Sequence, residues 1–122
     1  MTARILTVDD SASIRLTTRV ALSNAGYAIT EAVDGMDGLS KLRGSQFDLI
    51  VTDLNMPNMD GLTMIRELRK IPSCMGVPVI FLTTESDNEL KQQAKSAGAT
   101  GWLTKPFDPE SLVKIVKKVL GK

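Results

Sequence analysis

The chain has 122 residues, the usual size of one domain, and we expect a single domain over residues 1–122. Fifteen Lys and Arg residues against fourteen Asp and Glu give a formal net charge of +1, which favours neither nucleic acid nor an anionic membrane as a partner. The sequence has no histidine, which excludes a Ser-His-Asp triad, a His-ligated zinc site and a phosphohistidine on this chain. One cysteine, no long apolar stretch and no signal-peptide pattern predict a cytoplasmic protein.

Short apolar runs alternate with amphipathic segments along the whole chain. The runs predict strands at residues 5–8, 28–32, 49–52, 79–82 and 102–104. Each amphipathic segment begins at a polar residue suited to cap a helix: Ser13, Asp34, Asp60, Ser86 (with Glu89 as its capping-box partner) and Asp108. The first helix should run from about residue 14 to residue 24.

The alternation of five strands and five helices predicts an α/β fold. The strands are almost continuously apolar, as in a parallel sheet that is covered on both faces. Right-handed crossovers then give a doubly wound, three-layer sandwich of five parallel strands and five helices.

Charged and hydroxyl side chains stand where several of these strands should end. Asp9 and Asp10 follow the first strand, Asp53 follows the third, Thr83 follows the fourth, and Lys105 follows the fifth. Since ligands of open parallel sheets bind beyond the carboxyl ends of the strands, these residues are expected to converge at one edge. Three carboxylates there would repel one another, and such an oxygen-rich cluster suits a divalent ion such as Mg²⁺.

Each acidic site also has a simpler interpretation when taken alone. Asp9 and Asp10 could cap the first helix, and Asp53 could form a turn. Their occurrence together, with Lys105 to compensate their charge, favours a functional site.

These residues also carry a resemblance to a known family over nearly the whole chain. The acidic pair, the motif Asp53-x-x-Met56-Pro57-x-x-Asp60-Gly61, the Thr83-Thr84 step and the Lys105-Pro106 pair occur in order. The spacings are 43 residues from Asp10 to Asp53, 30 more to Thr83 and 22 more to Lys105. In all these respects the sequence resembles a receiver domain of the two-component response regulators, and most resembles the single-domain chemotaxis regulators of the CheY type.

The resemblance implies a flavodoxin-like strand order of 2-1-3-4-5, a cis peptide bond before Pro106, and a phosphorylation site. It implies that Asp53 is the phosphoacceptor and that Lys105 pairs with a phosphoryl oxygen. Mg²⁺, with Mn²⁺ as an alternative ion, would be held by Asp10, Asp53 and the backbone carbonyl of Asn55, with Asp9 acting through water.

The resemblance also implies a conformational switch. The hydroxyl of Thr83 would reach the phosphoryl group, and the aromatic side chain of Trp102 would turn inward into the space left behind. Asn55 and Glu85 would tune how water attacks the acyl phosphate. The simpler alternatives are a β-forming threonine, a core tryptophan, and two solvent-exposed polar side chains.

We therefore expect a signalling switch that is not an enzyme beyond its own phosphorylation and dephosphorylation. A histidine kinase would be the donor, and the face of helix four, strand five and helix five, near Trp102, Leu103 and Lys117, would bind a partner such as the flagellar motor switch. The alternative is an intermediate receiver in a phosphorelay, acting on a phosphotransfer protein, or a receiver in another non-chemotaxis pathway.

Two other function classes are disfavoured. A phosphatase of the haloacid dehalogenase kind is disfavoured by Asn55, where that class needs an acid, and an inactive scaffold is disfavoured by the intact site. We expect a monomer with no nucleic-acid or membrane partner.

Overall fold

The elements of the fold follow the alternation that the sequence predicts. The computed structural model describes residues 2–54, 56, 59–84 and 88–121. In these residues the elements are, in chain order, β1 Arg4–Val8, α1 Ala12–Asn24, β2 Ala28–Ala32, α2 Gly35–Gly44, β3 Leu49–Asp53, α3 Gly61–Leu68, a 3₁₀ turn Pro72–Cys74, β4 Val79–Thr83, α4 Asn88–Ser96, β5 Gly101–Thr104 and α5 Pro109–Leu120.

The strands form one parallel sheet in the order β2-β1-β3-β4-β5, which confirms the predicted fold class. Successive side chains alternate between its two faces. Ile5 and Leu49 belong to a core beneath α1 and α5, whereas Leu6 and Ile50 belong to a second core beneath α2, α3 and α4. This two-sided burial explains why most residues of the central strands are apolar.

The helix caps were predicted correctly in three cases and wrongly in one. The side chains of Asp34, Asp60 and Asp108 each accept a hydrogen bond from a backbone N–H three residues on, at 2.7 to 2.8 Å. Ser13, however, lies inside α1, because the Ser11 side chain caps this helix by accepting from the N–H of Ile14. The predicted Ser86 cap lies outside the described residues.

The strands extend one residue beyond their predicted limits at two places that matter for function. Asp53 is the last residue of β3 and Thr83 is the last residue of β4. Both side chains therefore take their direction from the sheet rather than from a loop. No helix in the described part of the chain is both long enough and apolar enough to cross a bilayer.

Arg69 connects two loops on the opposite side of the fold from α1. Its Nη1 donates to the carbonyl oxygens of Cys74 at 2.8 Å and Val77 at 2.7 Å, and its Nη2 donates to that of Gly98 at 2.6 Å. Burial lowers the pKa of Arg69, but a guanidinium stays charged in proteins. One cation thus satisfies carbonyls after α3 and after α4.

Candidate active site

Three carboxylates meet at the carboxyl edge of the sheet. Asp9 and Asp10 directly follow β1, Asp53 ends β3, and these two strands are neighbours with Val8 opposite Thr52. One carboxylate oxygen from each of the three acids lies within 4.8 Å of the other two. Asp9 and Asp53 are only 2% and 5% exposed, whereas Asp10 is exposed.

Lys105 places its ammonium group between two of these acids. Its Nζ lies 3.1 Å from Oδ2 of Asp9 and 3.3 Å from Oδ1 of Asp53, with 14% of its side chain exposed. The Lys105 backbone N–H donates to the carbonyl of Thr83 at 2.8 Å, and the bond from Lys105 to Pro106 is cis, as predicted. The structure therefore brings Asp9, Asp53 and Lys105 into direct contact across three strand ends.

Asp9 is held by hydrogen bonds from Ser11 and Arg15, neither of which was predicted from the sequence. Its Oδ1 accepts from the N–H of Ser11 at 2.9 Å, and its backbone carbonyl accepts from Nη1 of Arg15 at 2.6 Å. Because Ser11 caps α1, the capping alternative for Asp9 and Asp10 is wrong. A usable signal for Arg15 was its position on the first turns of α1, since helical side chains point back toward the helix N-terminus.

Thr83 lies on the strand beside β3 and is fully buried. Asp53 is opposite Leu82 in the β3–β4 register, so Thr83 stands one residue further along the neighbouring strand. Because adjacent strands are about 5 Å apart, the backbone of Thr83 lies close to the backbone of Asp53.

Gly61 allows α3 to begin directly against the backbone of Asp53. Its N–H donates to the carbonyl of Leu54 at 2.9 Å, and a Cβ atom at this position would overlap the carbonyl oxygen of Asp53. A side chain at residue 61 would therefore displace the backbone of Asp53.

Trp102 faces outward on β5. Its side chain is 46% exposed, its ring stacks on Phe81 with centroids 6.2 Å apart, and Nζ of Lys91 lies 5.0 Å from the indole centroid. The alternative of ordinary core packing for Trp102 is therefore wrong. Asn55 and Glu85, expected to tune the site, lie outside the described residues, as does Pro57 of the motif that begins at Asp53.

The donor set fits a hard divalent cation. Three carboxylates supply oxygen ligands of the kind that Mg²⁺ prefers, and one ammonium group contacts two of them. The local charge therefore remains negative, and a divalent ion would relieve the repulsion among the acids.

Comparison with known proteins identifies the family. The family model for the response regulator receiver domain matches residues 5–117. This chain is a response regulator receiver domain. The Vibrio cholerae chemotaxis protein CheY4 is 43% identical, with a TM-score of 0.94 and coverage of 98% of this chain and 99% of that one.

Two further similarities bear on the site and on the length of the receiver. The receiver domain of the Pseudomonas aeruginosa sensor histidine kinase PA1611, described with a magnesium ion coordinated in its active site cleft, is 27% identical with a TM-score of 0.91 over 100% of both chains. The Helicobacter pylori chemotaxis protein CheV3 is 38% identical over 97% of this chain but only 41% of its own length. The first curated relatives are all longer, since the chain spans 41% to 57% of their lengths.

Proposed function

We propose that this receiver is a phosphorylation-activated switch whose phosphoacceptor is Asp53. The observation that carries the proposal is a nearly buried Asp53 carboxylate 3.3 Å from the Lys105 ammonium, beside two further acids. In the transfer, a carboxylate oxygen of Asp53 forms a bond to phosphorus while the P–N bond of a kinase phosphohistidine breaks. The donor imidazole keeps the electron pair of that bond and takes up a proton.

The three acids are proposed to hold the metal ion that this transfer needs. Asp10 and Asp53 would bind Mg²⁺ or Mn²⁺ directly, together with the backbone carbonyl of Asn55. Both carboxylate oxygens of Asp9 already accept hydrogen bonds, from Ser11 and Lys105, which supports a role for Asp9 through water. When bound, the ion would neutralise charge on the transferring oxygens.

Lys105 and Thr83 are proposed to respond to the new phosphoryl group. Lys105 already faces Asp53 and would move from the carboxylate to a phosphoryl oxygen. The hydroxyl of Thr83 would turn toward the same group, and Trp102 would leave its exposed position for the space released. Asn55 and Glu85 would set how quickly water removes the phosphoryl group.

The output surface is proposed to be the face of α4, β5 and α5. Exposed Trp102 stands between two grooves: Lys91 and Lys95 line one of about 270 Å³, and Ile115 and Lys118 line the other, of about 470 Å³. An apolar residue on a partner would enter such a groove while acidic neighbours meet the lysines. The likeness to the chemotaxis proteins CheY4 and CheV3 supports a chemotaxis partner. We propose the flagellar motor switch as that partner, bound in the cytoplasm by a monomeric receiver.

One relative favours a second output. The DNA-binding dual master transcriptional regulator RpaA of Synechocystis is 38% identical over 96% of this chain, which covers 48% of its length. The same site could therefore serve a non-chemotaxis pathway, including a phosphorelay in which Asp53 passes its phosphoryl group to a phosphotransfer protein. Incubation of the phosphorylated receiver with candidate phosphotransfer and motor switch proteins separates the two outputs.

The phosphoacceptor is tested by the substitution Asp53→Asn. Acetyl phosphate with Mg²⁺ should change the fluorescence of Trp102, the single tryptophan, in the wild type and in an exposed control, Asp48→Asn, which precedes β3 at the end opposite Asp53. The Asp53→Asn variant should give no change, because the amide is not a nucleophile for phosphorus. A wild-type response in this variant would refute Asp53 as the acceptor. We also propose that free phosphate esters are not turned over, which steady-state phosphate release would check.

A further inference from the structure

We infer that Arg15 is a positioning residue for the metal-binding acids, an inference that rests on the proposed function. Arg15 lies four residues after the cap of α1, and its backbone N–H donates to the carbonyl of Ser11 at 3.0 Å. From there its guanidinium reaches back, and Nη1 donates to the backbone carbonyl of Asp9 at 2.6 Å. A charge-assisted hydrogen bond of this length is among the stronger contacts of the site.

The carbonyl of Asp9 belongs to the peptide group that joins Asp9 to Asp10. The Asp9 side chain is already held by Ser11 and Lys105, and its N–H donates to the carbonyl of Ala32 at 3.1 Å. The hydrogen bond from Arg15 therefore mainly fixes the orientation of the peptide group between Asp9 and Asp10. Because the Asp10 side chain is exposed, its carboxylate depends on this backbone for its place beside Asp53.

Glu31 on β2 anchors the guanidinium from the other side. Its Oε1 lies 3.9 Å from Nε of Arg15, and its Oε2 lies 2.9 Å from Nη1 of Arg19. The Arg15 side chain is 18% exposed, against 49% for Arg19. The two arginines thus share one carboxylate, but within the described part of the chain Arg15, unlike Arg19, also contacts Asp9.

Two opposing effects decide whether replacing Arg15 weakens or strengthens Mg²⁺ binding. The positive charge of Arg15 would repel a divalent ion, and its hydrogen bond would keep Asp10 in position to ligate one. Glu31 partly neutralises the charge of Arg15, whereas the hydrogen bond from Arg15 to the Asp9 carbonyl acts directly on the backbone of the site. We therefore expect loss of positioning to outweigh loss of repulsion, so that Mg²⁺ binds more weakly without Arg15.

The test measures Mg²⁺ affinity of the unphosphorylated receiver by calorimetry, with Mn²⁺ affinity by electron paramagnetic resonance as a second reading. Arg15→Gln should weaken binding about tenfold, the low end of the range for groups that support metal ligands. Arg15→Lys keeps the charge but not the planar fork, and should weaken it by a smaller factor, about threefold. Arg19→Gln is the matched control, since it also loses a bond to Glu31, and its affinity should stay within about twofold of the wild type.

The outcomes separate this inference from the function on which it rests. Wild-type or tighter Mg²⁺ binding by a folded Arg15→Gln variant would overturn the positioning role, as would equal weakening in Arg19→Gln. If Arg15→Gln does not fold, Arg15→Lys is measured alone, and wild-type affinity there overturns the inference. A role in stability alone would lower the unfolding temperature without changing affinity. Absence of Mg²⁺ binding by the wild type would overturn the proposed metal site itself.

Discussion

Replacing Lys105 with methionine should destabilise the receiver far more than the loss of an ordinary surface lysine. Methionine keeps most of the side-chain volume but removes the ammonium that lies 3.1 Å from Asp9 and 3.3 Å from Asp53. The two acids, with side chains 3% and 8% exposed, would then face each other without this cation.

The size of the effect follows from this burial. Gross attraction at these distances is about 5 kcal/mol for each pair at an effective dielectric constant of about 20, which is an upper bound. Breaking a buried pair typically costs about 3–5 kcal/mol, and the 14% exposure of the Lys105 side chain favours the lower figure. A loss of about 3 kcal/mol should lower the unfolding temperature of a chain of this length by roughly 12 °C.

The assay is urea and thermal unfolding with EDTA and again with excess Mg²⁺. Lys70→Met is the matched control, because Lys70 lies 2.9 Å from Glu67 but these side chains are 73% and 38% exposed. It should cost less than about 0.5 kcal/mol. Added Mg²⁺ should restore much of the stability of Lys105→Met, since the ion supplies the missing positive charge. Equal effects of the two substitutions, or a deficit that Mg²⁺ does not reduce, would refute the reasoning.

Two further predictions concern the backbone beside the site and the last helix. Gly61→Ala should destabilise the fold by about 2 kcal/mol and slow phosphorylation by acetyl phosphate, because the new methyl group meets the Asp53 carbonyl. Urea unfolding should show no loss for Gly44→Ala, where a Cβ meets nothing within 4 Å, and equal losses would contradict the steric argument. The backbone N–H and hydroxyl of Ser111 lower the pKa of Asp108 below its ordinary value of 3.8. The stability that Asp108 contributes is therefore present above pH 3.8 and is lost as the pH falls through the lower pKa of the folded state. In unfolding measured against pH, Asp108→Asn should reduce this loss of stability at acid pH. An unchanged pH profile would contradict the prediction.

The sequence was sufficient for the fold and for the meeting of the acids with Lys105. The order of apolar runs predicts a parallel sheet, and the carboxyl ends of parallel strands share one edge whatever the details of packing. Asp9, Asp53 and Lys105 could therefore be placed together although 96 residues separate the first from the last. This part of the prediction depended on the parallel arrangement of the strands, whereas the strand order came from the resemblance to receiver domains.

Other features depended on local geometry that the residue pattern does not determine. Ser11 and Ser13 are both good capping residues two positions apart, and the choice between them rests on the backbone angles after Asp10. The outward position of Trp102 and the contact of Arg15 with Asp9 depend on side-chain conformation. The position of Arg15 on the first turns of α1 indicates the direction of its side chain but not the group it contacts, and the sequence gives no comparable signal for Trp102.

The carbonyl contacts of Arg69 have a consequence for how the molecule opens. Cys74 and Val77 lie in the loop after α3 and Gly98 lies after α4, yet all three carbonyls share one guanidinium as their hydrogen-bond donor. None of the three can detach without leaving Arg69 with fewer acceptors, so their separation from the body of the protein is energetically linked. Amide exchange should therefore report these loops as one cooperative opening unit, on the side of the sheet away from α1 and α5.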